Sequence, residues 1–97
     1  MKLTLVIPCY NEEKNIEPFM KCCIETFGNN KNIEYIFIND GSKDNTFSEI
    51  KKIVEKYNTE NILGINFSRN FGKEAAMLAG LKKSKGTYTA LIDADLQ

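Results

Sequence analysis

Histidine and tryptophan are absent from the 97 residues of this sequence, and only two prolines and three cysteines occur. The absence of histidine excludes a zinc site of mixed cysteine and histidine ligands, and also a serine or cysteine nucleophile that histidine activates. The cysteines, Cys9, Cys22 and Cys23, are odd in number and lack Cys-x-x-Cys spacing. They therefore indicate buried or reduced thiols, as expected in a cytoplasmic protein.

An excess of either charge is also lacking, because thirteen basic residues balance thirteen acidic ones. No overall cationic field is available to attract nucleic acid or an anionic membrane, so a nucleic-acid partner is not expected. No apolar run approaches the ~20 residues of a transmembrane helix, and the first apolar run meets acidic residues too early for a signal peptide. We expect one α/β domain with a small core.

Four short apolar runs are rich in β-branched and aromatic residues and predict buried strands at 3–7, 35–38, 62–67 and 88–92. The segments between them carry apolar residues at helical spacing, at 16–27, 47–57 and about 72–84. Strands that alternate with helices predict a parallel sheet with right-handed crossovers. The expected fold is a Rossmann-like doubly wound sheet of about four strands in the order 3-2-1-4, with helices on both faces.

Polar side chains collect where three of these strands end. In such sheets, ligands bind beyond the carboxyl ends of the strands, at the point where the strand order reverses. The loops that meet there carry Tyr10, Glu12, Asp40, Asp93 and Asp95. Carboxylates brought together repel one another unless a cation or hydrogen-bond donors compensate them, and Mg²⁺ or Mn²⁺ accepts such oxygens.

The Asp93-Ala94-Asp95 spacing suggests a metal site. On an extended backbone the alternation directs both carboxylates to one side, and Gln97 continues that side. Mg²⁺ usually binds through one or two carboxylates plus substrate phosphates, which suits a nucleotide diphosphate. Acidic residues are also common in turns, so the spacing alone leaves a purely structural role open.

Two further segments carry candidate ligand contacts. Asp40 ends the second predicted strand, where its carboxylate can accept hydrogen bonds from a base or a sugar hydroxyl. Arg69 and Lys73 lie near the positive end of the third predicted helix and offer cations to an anion, although a solvated loop explains them equally well. The glycine-rich signatures of dinucleotide-binding and P-loop proteins are missing, which disfavours both classes. A receiver domain is disfavoured too, because the third strand does not end in an aspartate.

Four motifs in order resemble the amino-terminal half of family 2 glycosyltransferases of the GT-A fold, and most closely the polyprenyl-phosphate sugar transferases of the dolichyl-phosphate mannose synthase type. They are VIPCYNEEKNI at 6–16, FINDGSKDNT at 37–46, NFSRNFGKEAAMLAGL at 66–81 and GTYTALIDADLQ at 86–97. Each motif is modest alone, but four at suitable spacing across the whole chain are specific.

The resemblance implies roles for individual residues. Pro8, Tyr10 and Glu12 are expected to line the nucleotide pocket, with Tyr10 packed on the base. The nucleotide-binding set also includes Asp40 at the nucleoside, Asp93 at the ribose or metal, and the basic residues Arg69 and Lys73. Asp93, Asp95 and Gln97 are the expected ligands of Mg²⁺ or Mn²⁺.

The resemblance also implies a function and a truncation. The parent protein is expected to transfer a sugar from a UDP- or GDP-linked donor to a polyprenyl phosphate at the cytoplasmic face of the membrane, with metal dependence and inversion. Residues 1–97 would be its nucleotide-sugar-binding amino-terminal part, ending after the Asp-x-Asp motif. The family's catalytic base lies beyond Gln97, so we expect no catalytic residue and no turnover in this chain. The alternatives are a nucleotide-binding half-domain and a unit that self-associates through an exposed strand edge.

Overall fold

The structure of the chain, a computed structural model, describes residues 3–28 and 30–95. Its elements are, in order, β1 (Leu3–Cys9), α1 (Ile16–Phe27), β2 (Ile33–Asn39), α2 (Thr46–Lys56), β3 (Asn61–Asn66), α3 (Lys73–Lys83) and β4 (Tyr88–Leu91). The strands form one sheet in the order β3-β2-β1-β4, and every neighbouring pair is parallel. The strand order expected from the sequence is therefore confirmed.

Side chains of the central strands alternate between two apolar layers, one on each face of the sheet. The larger layer packs under α1 and α2 and includes Phe19 of α1, whose ring meets Phe37 of β2 edge to face at 5.9 Å between centroids. The smaller layer contains Val6, Ile36 and Ile38 with Ala76 of α3. Helices therefore cover both faces, as predicted.

Close approach of α3 to the sheet depends on a glycine. A Cβ atom added at Gly80 would lie 2.4 Å from a methyl carbon of Val6, well inside van der Waals contact. The buried residues of α3 are both small: Ala76 and Gly80. Their size allows the helix to lie close to the sheet. The close packing fixes α3, and with it the position of the residues at its amino end.

The carboxyl end of β1 is longer than the sequence pattern predicts and is paired on one side only. β1 continues through Pro8 and Cys9, which pair with Ile38 and Asn39 of β2. On the other side, the register with β4 ends at Val6, and one further hydrogen bond joins the Ile92 N–H to the Val6 carbonyl. A proline lacks the N–H that a second neighbour would require, so its place beyond the last β4 pair costs no ladder bond. The sheet opens between β1 and β4 at this end.

No helix in the described ranges, 3–28 and 30–95, is both long and apolar enough to cross a lipid bilayer.

Candidate nucleotide and metal site

A cleft of about 290 Å³ lies at the carboxyl ends of β1, β2 and β4. The residues that line it come from the three strand ends and from the first position of α3: Pro8, Cys9, Tyr10, Glu12, Asp40, Lys73, Asp93 and Asp95. Seven of these eight were predicted as site residues from the sequence. The structure therefore brings the separate motifs to one place.

Two loops of the cleft are joined by reciprocal hydrogen bonds. The Asn11 N–H donates to the Ser42 hydroxyl at 2.9 Å, and the Lys43 N–H donates to Asn11 Oδ1 at 2.8 Å. The Glu12 N–H adds a bond to Thr46 Oγ1 at 2.8 Å. Asn11 has a φ of 54°, a left-handed conformation that asparagine tolerates better than most residues. These bonds fix the backbone of the segment that carries Tyr10 and Glu12.

The Asp40 side chain organises the loop that precedes α3. It is only 3% exposed, and its Oδ1 accepts the Phe71 N–H at 2.8 Å. Its Oδ2 accepts the Gly72 N–H at 3.2 Å and the Asn70 side-chain amide at 3.3 Å. The sequence predicted a nucleoside contact here. The structure adds that the two carboxylate oxygens already hold the backbone N–H groups of Phe71 and Gly72, while the residue also lines the cleft.

Gly41 lets this loop lie directly against the end of β2. Its φ is +65°, and a Cβ there would lie 2.1 Å from the Arg69 carbonyl carbon and 2.2 Å from the Asn70 nitrogen. Any other residue would therefore have to push the loop backbone away. The Asp40-Gly41 pair thus sets the position of the start of α3, because Asp40 accepts hydrogen bonds from the loop and Gly41 has no side chain to keep the loop away.

The acidic side of the cleft is partly compensated by one lysine. Lys73 Nζ lies 2.8 Å from Asp93 Oδ1, and both side chains are about 60% exposed, at 61% and 59%. The hydrogen bond and the charge of Asp93 raise the pKa of Lys73, and Asp95 contributes further. Burial is the main reason that the pKa of Glu12 is raised, and the negative charges of Asp95 and Asp93 raise this pKa further. Negative charge is therefore concentrated at this site.

The backbone of the Asp-x-Asp segment differs from the prediction. β4 ends at Leu91, and residues 94–95 form a turn instead of continuing as an extended strand. Ala94 is buried at 1% exposure in the larger apolar layer, which pulls the chain inward between the two acids. The expectation of an extended alternation was wrong, but Asp93 and Asp95 line the same cleft.

The donor chemistry suits a divalent cation that a substrate helps to hold. Across 3–28 and 30–95, no group of three or more histidine, cysteine, aspartate or glutamate residues is arranged to hold a metal ion. Mg²⁺ typically takes only one or two protein carboxylates and completes its shell with water and phosphate oxygens. Asp93 and Asp95 can supply that number, and Lys73 is paired with Asp93 Oδ1.

The predicted residues and the residues that line the cleft differ at three positions. Arg69, a predicted nucleotide-binding residue, is not among the described residues that line the cleft, and its guanidinium lies over the Phe71 ring, 4.8 Å from the centroid. Gln97, the third predicted metal ligand, lies outside the described residues. Cys9 lines the cleft but was not predicted, because a single cysteine after an apolar run gives no signal of a site.

Comparison with known proteins identifies relatives for the whole chain. The model of the family described as Glycosyl transferase family 2 matches residues 4–97. An uncharacterized glycosyltransferase of Synechocystis, sll0501, is 42% identical over 100% of this chain and 30% of its own length. The bactoprenol glucosyl transferase of Shigella phage SfV is also 42% identical, over 100% of this chain and 31% of its own. The chain thus spans about a third of the length of the curated relatives it matches.

Solved structures have the same fold. S. aureus TarS 1-349 in complex with UDP-GlcNAc matches with a TM-score of 0.80 and 25% identity, over 98% of this chain and 27% of that one. The mannosyltransferase PcManGT from Pyrobaculum calidifontis, in complex with GDP-Man and Mn²⁺, matches with a TM-score of 0.88 and 23% identity, over 97% and 27% of the two chains. The predicted GT-A fold is therefore confirmed for the region the chain covers.

Proposed function

The chain belongs to glycosyl transferase family 2, and from this membership we propose that it forms the donor-binding part of a transferase that moves a sugar from a nucleotide diphosphate to a polyprenyl phosphate. The observation that carries the proposal is the cleft of about 290 Å³ in which residues from four motifs far apart in the sequence meet. Two relatives support its parts: TarS is seen with UDP-GlcNAc, and a phage relative is named for a bactoprenol acceptor.

The aromatic and acidic sides of the cleft take different parts of the donor. Tyr10 is 43% exposed at the rim and offers a ring on which a base can stack. Lys73 and the first turn of α3 lie near Asp93, where they favour the diphosphate by charge and by the helix dipole. This arrangement orients the donor with its base at Tyr10 and its phosphates toward α3.

Asp93 and Asp95 are the residues that would hold Mg²⁺ or Mn²⁺, with Gln97 as a third proposed ligand. A divalent cation at this position supplies positive charge to the departing diphosphate. The proposed reaction inverts the anomeric centre, because the acceptor attacks from the face opposite the leaving group. The catalytic base and the acceptor site are proposed to lie in parts of the protein outside residues 1–97, so this chain alone binds the donor without turnover. The same proposal puts the whole protein at the cytoplasmic face of the membrane.

Calorimetric titration of the chain with UDP and with GDP, each with and without Mn²⁺, tests the donor site. We expect one nucleotide to bind and Mn²⁺ to strengthen its binding. Asp93→Asn and Asp95→Asn should each remove most of the metal effect, whereas Glu25→Gln, a matched loss of one charge on the exposed side of α1, should leave it intact. Binding of neither nucleotide, or a metal effect that survives both aspartate substitutions, would contradict the proposal.

The open edge of the sheet supports a second candidate function, association of two chains. β4 is an edge strand of the described sheet, and Tyr88 and Leu91 on it are 71% and 47% exposed. Leu78 and Leu81 of α3 are exposed as well. An unpaired edge with apolar side chains favours strand pairing between copies. Sedimentation velocity over a wide concentration range tests this, and a monomer at every concentration would reject it.

A further inference from the structure

The ion pair between Lys73 and Asp93 occupies one of the two carboxylates proposed to hold the metal. Lys73 Nζ lies 2.8 Å from Asp93 Oδ1. A cation that takes Asp93 as a ligand must therefore displace the ammonium group or share the carboxylate with it. This inference rests on the proposed function, since it concerns the same metal and the same nucleotide.

The backbone before Lys73 is held in place, whereas the Lys73 side chain is largely exposed. Asp40 binds the N–H groups of Phe71 and Gly72, immediately before Lys73, and Gly41 packs against the same loop. The Lys73 side chain beyond this anchor is 61% exposed and reaches Asp93 across the mouth of the cleft. The lysine side chain has a flexible four-carbon stem. The ammonium group can therefore move to another anion within the cleft without any change in the backbone.

The charges of the cleft give that movement a direction. The negative charges of Asp93 and Asp95 act on Glu12, and Lys73 forms an ion pair with Asp93. With a nucleotide diphosphate bound at the start of α3, the ammonium group has a second anionic partner of higher charge. Asp93 is then released for a divalent cation.

We propose that Lys73 is a resident counter-ion of Asp93 that moves to the donor diphosphate when the nucleotide binds, so that metal and nucleotide bind strongly only together. Lys73 is thus a specificity-determining residue, because it disfavours occupation by the metal alone. By thermodynamic linkage, the factor by which nucleotide strengthens metal binding equals the factor by which metal strengthens nucleotide binding. Lys73 should contribute part of that factor.

The test compares Lys73→Met with the unchanged chain in three titrations: Mn²⁺ alone followed by electron paramagnetic resonance of the free ion, nucleotide alone in EDTA, and nucleotide with saturating Mn²⁺. UDP and GDP are both used, and the one that binds the unchanged chain is carried forward. Removal of the lysine should strengthen binding of Mn²⁺ alone by about two- to fivefold, the range expected when an exposed ion pair no longer competes. Binding of the nucleotide alone should weaken, and the coupling factor should fall.

Two further variants separate competition from a general change in charge. Lys82→Met removes the same charge from the last turn of α3 and should leave all three titrations unchanged. Lys73→Arg keeps a cation at the site and should retain most of the coupling. Thermal unfolding should be nearly the same for all variants, because neither lysine is buried.

The outcomes distinguish this inference from the proposed function. If the unchanged chain binds Mn²⁺ and nucleotide together but Lys73→Met has the same coupling factor, Lys73 is not the counter-ion and the inference alone fails. A rise in Mn²⁺ affinity that is equal with and without nucleotide would also overturn it, because that pattern indicates only a weaker positive field. If the unchanged chain binds no nucleotide, the proposed function fails and the inference fails with it.

Discussion

The carboxylate of Asp40 accepts a hydrogen bond from the backbone N–H of Phe71 at 2.8 Å, which joins the end of β2 to the loop before α3. The two residues are 31 positions apart in the sequence. Through this bond, the second motif holds the third motif in the position from which Lys73 reaches Asp93. Asp40 is therefore a structural part of the cleft as well as a candidate ligand contact.

Replacement of Asp40 should destabilise the chain and disorder the 70–72 loop. Asp40→Ala leaves the Phe71 and Gly72 N–H groups without their partner, so we expect a loss of about 2–4 kcal/mol in the free energy of unfolding. Asp40→Asn keeps one carbonyl oxygen as an acceptor and should cost less. Urea unfolding measures the loss, and the amide signals of residues 71 and 72 in ¹H–¹⁵N spectra report the loop. If Asp40→Ala leaves both amide signals unshifted, the role in the loop is wrong.

Gly41 should be less tolerant of a side chain than Gly28, although both have a positive φ, +65° and +62°. At Gly28 an added Cβ meets nothing within 4 Å, so alanine should cost only backbone strain, about 1–3 kcal/mol. Gly41→Ala adds overlap with the backbone of the Arg69-Asn70 loop and should cost about 1–3 kcal/mol more.

The unfolding free energies of the two glycine variants provide the comparison, and amide spectra provide a second one. Only Gly41→Ala should move the Phe71 and Gly72 signals, because only that change displaces the loop. Equal losses of stability with undisturbed loop signals in both variants would contradict the close packing at Gly41.

Neutralisation of Glu12 should stabilise the chain near neutral pH. The folded-state pKa of Glu12 is raised above its ordinary value of 4.5 by burial and by Asp95 and Asp93, so ionised Glu12 opposes folding. Below pH 4.5 the carboxyl is protonated in both states and has no effect, whereas above its folded pKa the full cost is present. Glu12→Gln should therefore raise the midpoint of thermal unfolding at pH 7.

The gain from Glu12→Gln should shrink as the pH falls through the folded pKa and disappear below about 4.5, the ordinary value of the carboxyl. Glu13→Gln makes the same change in net charge at the neighbouring position and serves as the control. Scanning calorimetry at several pH values measures both variants. A gain of equal size at pH 7 and at low pH, or an equal gain for the control, would argue against the electrostatic cause.

Alkylation should distinguish the three thiols. Cys22 is exposed, whereas Cys9 and Cys23 are buried, and burial raises the pKa of Cys9 to about 12 and that of Cys23 to about 11. The thiolate is the reactive form, so the two buried thiols should resist iodoacetamide at pH 8. Peptide mass mapping should find the label first on Cys22, and on all three only in denaturant. Early labelling of Cys9 would indicate a cleft more open than the structure describes.

The sequence by itself determined the elements and their order. The apolar runs and the helical spacing place each strand and helix within a few residues of its observed position, although the edge strands β3 and β4 are less buried than those runs predict. The ends were less accurate. β1 continues past Pro8, since the missing N–H of proline faces a side on which β4 has already ended. That condition belongs to the neighbouring strand and is not visible in the run itself.

The cleft was predictable from sequence as a set of residues but not as an arrangement. Strand order alone brings Glu12, Asp93 and Asp95 to one edge of the sheet, because parallel strands end together. Only the tertiary structure decided that Ala94 turns inward to the core, that Asp40 holds the loop before α3, and that Lys73 pairs with Asp93. The Asp40 and Lys73 contacts join residues 20–32 positions apart, and their distances depend on how closely α3 and the loops pack against the sheet.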